Sequence, residues 1–230
     1  MKHSPVITID GPAGSGKSTT AREVARRLGF SHLDSGSLYR GLTLAVLGAG
    51  LPEESWDHLD VDAVARLDVG LAPTAGGFRV LVNGVDPGDA LRSPEVTRLA
   101  PRLARNPRVR ERLGELQRSA RAFGGVVADG RDMGTVVFPD AVLKVFLTAS
   151  LVERSRRRLA QEGRPSDEAS IATEGRTIRD RDEADARRAV GPLRRPDGAL
   201  VIDTTSLSFE AQVQRIVEAA AGLTTQVGEE

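Results

Sequence analysis

Eight residues near the N-terminus constrain this chain more than any other feature. Gly11-Pro12-Ala13-Gly14-Ser15-Gly16-Lys17-Ser18 follows the β-branched run Val6-Ile7-Thr8-Ile9 and precedes a helical pattern from Ser18 to Leu28. Glycines at these places let successive backbone N–H groups turn inward without Cβ clashes, and a helix starting there aims its positive end at the same spot. The product is an anion nest at the carboxyl end of a strand, which belongs to α/β folds. Lys17 is placed to reach the β- and γ-phosphates of a nucleotide, and the Ser18 hydroxyl to ligate Mg2+. The expected nucleotide-binding set is Gly11, Pro12, Ala13, Gly14, Ser15, Gly16, Lys17, Ser18 and Thr19.

The rest of the chain keeps the same rhythm. The runs Val126-Val127-Ala128, Leu143-Lys144-Val145-Phe146-Leu147 and Leu200-Val201-Ile202 alternate with helical patterns over Ser37 to Leu47, Pro107 to Ala122, Ser150 to Gln161 and Ser208 to Ala221. Such runs read as strands buried on both faces, so the expectation is a parallel sheet between two helical layers, joined by right-handed crossovers. The rhythm breaks between about Asp60 and Arg105. There Phe78-Arg79-Val80-Leu81-Val82 is followed by Asn83-Gly84, a two-residue hairpin signal, and an antiparallel ribbon at this place suggests an inserted subdomain. Thr224 to Glu230 reads as a frayed tail.

Charge and composition narrow the partners. Basic and acidic residues number 32 each, so no overall field favours nucleic acid or an anionic membrane, and any anion site is local. All the basic residues except Lys2, Lys17 and Lys144 are arginines, whose planar fork suits bidentate phosphate contacts. The absence of cysteine excludes a disulfide framework and a thiolate metal site. Met1 to Asp10 lacks the long apolar stretch of a signal peptide and no long uncharged apolar run follows, so the expected compartment is the cytoplasm.

A nucleotide cradle leaves two classes open: transfer to a second substrate, or a switch or motor that only hydrolyses. Transfer needs a second anion site facing the first. Leu33-Asp34-Ser35-Gly36-Ser37-Leu38-Tyr39-Arg40 follows the second expected strand and opens a helix, which clusters Ser35, Tyr39 and Arg40 near its N-terminus. A packed Tyr39 beside a solvated Arg40 is the plainer alternative. The strand Val126-Val127-Ala128 runs into Asp129-Gly130-Arg131-Asp132, at the strand end where ligands bind in open α/β sheets. Asp129 is placed to hold the Mg2+ shell or to cap a turn, and Arg131 to meet a phosphate.

The segments GPAGSGKST, LDSGSLYR, NPRVR, ADGRDMGTVVFPDA and IRDRDEADARRAVGPL resemble, in order and spacing, the bacterial cytidylate kinases, nucleoside monophosphate kinases of the P-loop NTPase superfamily. The likeness runs from about residue 5 to 220. It implies a three-layer α/β P-loop kinase fold with a central five-stranded parallel sheet. Residues 1–59 and 106–230 would form the core, with a short lid at about 155–170, and 60–105 an inserted monophosphate-binding subdomain. The implied activity is Mg2+-dependent transfer from ATP to CMP or dCMP, by a monomer with no nucleic-acid or membrane partner. Ser35, Tyr39, Arg40, Arg131 and Arg188 would grip the acceptor phosphate, Arg181 and Asp185 the ribose hydroxyls, and Arg110 with Asp132 the cytosine edge. Arg154, Arg157 and Arg158, by pattern alone a solvated helix face, would close over ATP as a lid and join Lys17, Arg131 and Arg188 in catalysis. Two positions depart from the family pattern: Pro101 stands where a serine near the base is usual, and Gly198 where an aspartate is frequent. A kinase for UMP or AMP, or a nucleotide-binding protein without transfer activity, stays open.

Overall fold

Two of the short apolar runs, Val6–Asp10 and Val126–Gly130, are buried along their whole length, and the computed structural model, which describes residues 4–227 and side chains through residue 222, joins the runs into one sheet. Its strands are β1 (Val6–Asp10), β2 (Ser31–Asp34), β3 (Val69–Thr74), β4 (Gly77–Val82), β5 (Val126–Gly130), β6 (Leu143–Thr148) and β7 (Leu200–Asp203), in the order β3-β4-β2-β5-β1-β6-β7. Successive residues of one strand serve opposite faces. In β5, Val126 and Ala128 pack with Leu38, Leu42, Leu103 and Phe138, whereas Val127 packs with Ile7, Val24, Leu147 and Ile216. Both faces are therefore covered, as a parallel sheet requires.

The expected five parallel strands are β2, β5, β1, β6 and β7, but the sheet has seven. The additional two form the antiparallel ribbon β3-β4, which joins the edge of the parallel sheet where His32 pairs with Gly77. Gly77 is what permits that approach, since a Cβ there would stand 2.5 Å from the His32 carbonyl oxygen. The ribbon turns at Ala75-Gly76 rather than at Asn83-Gly84. Asn83 and Gly84 do make a turn of the hairpin kind, with φ of 52° and 75° and reciprocal bonds between Val82 and Val85 of 2.8 and 3.1 Å. No strand grows from it, because Asp86-Pro87 follows and proline has no N–H to pair. The actual partner, β3, carries Gly70 and Pro73, and proline is tolerated there because β3 is an edge strand.

The helices are α1 (Lys17–Leu28), α2 (Ser35–Gly48), α3 (Val61–Ala65), α4 (Pro94–Leu103), α5 (Pro107–Ser119), α6 (Leu151–Gln161), α7 (Glu168–Ala186) and α8 (Phe209–Val227). Side-chain caps fix several starts: Asp34 for α2, Asn106 for α5, Ser150 for α6 and Asp167 for α7. The tail expected from Thr224 continues as helix to Val227, and residues 228–230 lie outside those described. Among the described residues no helix is long and apolar enough to cross a membrane.

Candidate active site

The glycine-rich loop lies between β1 and α1, at the carboxyl edge of the sheet. Gly11 has φ of 150°, and a Cβ on it would run into the Leu147 carbonyl oxygen, so no other residue fits. Gly16 caps α1 at φ 88°, which turns the chain directly from loop into helix. Lys17 is buried, with Nζ donating to the Pro12 carbonyl at 2.6 Å and to Ser15 Oγ at 3.4 Å, while Thr19 is exposed on the first turn. The Ser18 hydroxyl donates to Asp129 Oδ2 at 2.5 Å. The other oxygen of Asp129 lies 2.7 Å from His32 Nε2. A carboxylate is thus fixed from both sides, rather than capping a turn.

A second charged group faces this loop. Asp185, buried on α7, accepts from Arg131 Nε at 2.9 Å and from Arg188 Nη2. Arg181 carries a buried Nε without a hydrogen-bond partner. Burial, reinforced by the neighbouring Arg131, pushes its guanidinium down to about 10. Arg188 is also pushed down by burial, against the pull of Asp185. Burial sends the Lys17 ammonium well below its ordinary range, and the next causes include Arg131 and Arg181 pushing the same way. The donor loop therefore sits within electrostatic reach of Arg131 and of Arg181 on α7.

Beside this cluster Arg110 and Asp132 form a buried ion pair, and Arg110 Nη1 donates to the Ala104 carbonyl at 3.3 Å. Tyr39 lies under the Arg110 guanidinium at 5.5 Å, and burial raises its phenol to about 12. Gly191, at φ 61°, packs so closely that a Cβ would strike both members of the Arg110–Asp132 pair. Pro101 is inside α4, one turn before Ala104. Ser35 is buried against Gly130, where an added Cβ would stand 2.7 Å from Ser35 Oγ. Arg40 is engaged differently: its Nη2 donates to Ser37 Oγ at 2.8 Å and to Asp34 Oδ2 at 3.1 Å, within the cap of α2.

Of the four arginines of α6, Arg156 is exposed and the other three are engaged by protein partners. Arg154 Nη1 donates to the Ala13 carbonyl at 3.1 Å. Arg157 binds Thr204 Oγ1 at 2.9 Å and the Thr204 carbonyl at 2.6 Å. Arg158 pairs with Glu162 at 2.9 Å, and Arg164 bridges Glu162 and Glu174 at 2.8 and 2.9 Å. Gly198, at φ 68°, closes a turn before β7 with open space around it, and no consequence for the site follows from it.

Three further residues of the site are given no role by the sequence reading: His32, Asp10 and Asp182. Asp10 ends β1 and accepts the amides of Met133 at 2.9 Å and Gly134 at 2.7 Å, the start of a π-turn over Met133–Val137 directly after Asp132. Its one signal is a carboxylate at the end of an apolar run. Burial pushes this carboxyl from 3.8 up to about 7, although the two amides pull it down. The folded protein holds that proton more tightly than the unfolded chain, so ionisation of Asp10 weighs against folding by an amount that grows from about pH 4 to about pH 7. Across that window wild type should lose up to about 4 kcal/mol relative to Asp10→Asn. Thermal melts of both proteins at pH 5 and pH 8 measure this, and an unchanged difference between the two pH values would refute it.

A parallel α/β sheet, a phosphate loop before α1 and a facing cluster of arginines define a P-loop phosphotransferase with a small, anionic acceptor. A family model for cytidylate kinase matches residues 7–222. Cytidylate kinase of Pseudomonas aeruginosa is 46% identical over 218 residues, 93% of both chains. Those of Stutzerimonas stutzeri, 46% identical over 96% of this chain and 97% of its own, and Desulfitobacterium hafniense, 45% over 94% and 93%, are similar. The chain belongs to the cytidylate kinase family.

Proposed function

We propose that this protein transfers the γ-phosphoryl group of ATP to a phosphate oxygen of CMP or dCMP, giving ADP and CDP or dCDP, as a cytoplasmic monomer of pyrimidine nucleotide metabolism. One P–O bond forms to the acceptor as the bond to ADP breaks in line, without a covalent enzyme intermediate. The observation that carries this reading is the arginine cluster beside the donor loop, where Arg131 and Arg188 share the buried Asp185 and Arg181 keeps a buried Nε without a partner, while burial and the nearby Arg131 disfavour the charges of Lys17 and Arg181. A triphosphate and a monophosphate entering from opposite sides would relieve that repulsion. The same cations then surround the equatorial oxygens of the transferring group, where phosphoryl transfer needs them. The acceptor phosphate is already anionic and requires no dedicated base.

Ser18 and Asp129 place two hard oxygens beside the loop, hydrogen-bonded to each other, and oxygen donors of this kind suit Mg2+. These two residues would hold the ion together with nucleotide oxygens and water. When bound, Mg2+ offsets charge on the β- and γ-phosphates. In this reading Arg131 and Arg188, with Ser35, Tyr39 and Arg40, bind the acceptor phosphate, and Arg181 and Asp185 the ribose. Asp132 accepts from the exocyclic amine of cytosine, while Arg110 donates to its carbonyl and ring nitrogen. Uracil offers a carbonyl where that amine stands, and two acceptors then face each other.

Release of ADP measured with CMP, dCMP, UMP and AMP tests the assignment. CMP and dCMP should be turned over, UMP about tenfold or more slowly, for a mismatch of 1–3 kcal/mol. Equal ADP release with and without any acceptor would identify a hydrolase and refute the reading.

A further inference from the structure

Asp182, in the C-terminal half of α7, belongs to neither anion pocket, yet its carboxylate reaches the donor loop. Its Oδ1 accepts the amide N–H of Ala13 at 2.9 Å, and its Oδ2 pairs with Arg154 Nη1. The same Nη1 donates to the Ala13 carbonyl at 3.1 Å, and Nε of Arg154 donates to the Ala149 carbonyl at 3.1 Å. Both polar groups of one loop residue are thus held by the two members of a single ion pair. With side-chain exposures of 12% and 17%, this pair is shielded from the screening that weakens surface pairs. The packing is equally close: a Cβ on Gly14 would lie 2.9 Å from the Arg154 carbonyl oxygen, so α6 rests on the loop backbone itself. On α7, Asp182 adjoins Arg181 and precedes Asp185 by three residues, so it shares one helical turn with the second charge cluster.

We propose that Asp182 is a positioning residue that clamps α7 to the donor loop and so sets the separation of the two phosphates. Arg154 completes the clamp, and an ion pair joins three elements: the loop, α6 and α7. This rests on the CMP-kinase reading above. Because one element of each pocket is tied to the other, occupancy of the donor loop and of the acceptor site are coupled: each nucleotide strengthens the hold on its partner.

The test uses the full chain and its Asp182→Ala and Asp182→Asn variants. Steady-state kinetics are combined with calorimetric titration of CMP, with and without the ATP analogue AMP-PNP and Mg2+, and with thermal melts. In wild type the analogue should tighten CMP binding about fivefold or more. In Asp182→Ala that gain should vanish and kcat fall about a hundredfold, the usual consequence of an ångström-scale misplacement, while AMP-PNP binding measured without CMP stays within about threefold. Asp182→Asn keeps an oxygen for the Ala13 amide but loses the charge facing Arg154, and should lie between the two. A folded Asp182→Ala with native kcat and native coupling overturns the proposal. So does a parallel loss of ATP binding, CMP binding and melting temperature, which would make Asp182 a general stability residue. If Asp182→Ala does not fold, Asp182→Asn decides, and native coupling in it overturns the clamp. Failure of wild type itself to phosphorylate CMP refutes the functional reading instead.

Discussion

Lys17→Ala should lower CMP turnover about a thousandfold, roughly 4 kcal/mol of barrier, and leave a folded protein no less stable than wild type. The second half of this expectation is the unusual one. A buried residue replaced by alanine normally destabilises. Here the ammonium faces only neutral groups within hydrogen-bond reach, the Pro12 carbonyl and Ser15 Oγ. Burial disfavours its charge first, and Arg131 disfavours it next, against a weaker pull from Asp129. Removing the side chain takes away a desolvated cation along with its two hydrogen bonds, so the terms largely offset in the protein without nucleotide. With ATP the balance reverses, because phosphates supply the counter-charge that the protein does not. The measurement is kcat at saturating ATP and CMP, paired with a melting temperature taken without nucleotide. Undiminished CDP formation by Lys17→Ala would refute the donor-loop assignment.

What the sequence makes legible is what is local. The loop, its glycines and Lys17 lie within eight residues, and β1, β5, β6 and β7 announce themselves as short apolar runs, of which β1 and β5 are buried on both faces. Cooperation between distant segments leaves no such mark. His32 meets Asp129 across 97 positions and Asp182 meets Ala13 across 169, and no spacing rule reports either. The helix α7 escapes periodicity for a related reason. Of its 19 residues only Glu174, Gly175, Ile178 and Asp185 are buried, so what it turns inward is largely charge and there is no apolar stripe to count. Asn83-Gly84 carries the stronger local turn signal, whereas the pairing of β3 with β4 goes with the docking of Gly77 on His32. Arginines present the same difficulty. Arg40 and Arg131 are alike in the chain, but one is engaged by a helix cap and the other by Asp185.

Arg188→Ala should also cost about a thousandfold in kcat, again roughly 4 kcal/mol, while the protein stays folded. The fold survives because Asp185, which Arg188 engages, retains Arg131 Nε at 2.9 Å, so no buried carboxylate is left alone. Turnover does not survive, because the lost charge is one that burial has already stripped of water, and such a charge acts on developing negative charge with little screening. Two further comparisons separate this role from simple charge balance. Arg188→Lys should recover little activity, since an ammonium cannot reach Asp185 and a phosphate at once as the forked guanidinium can. A variant at an exposed arginine such as Arg187, whose partner Glu183 is also exposed, should leave kcat unchanged within about twofold. Near-native turnover in a folded Arg188→Ala, or full rescue by lysine, would remove Arg188 from the transfer step and leave Arg131 and Lys17 to account for it.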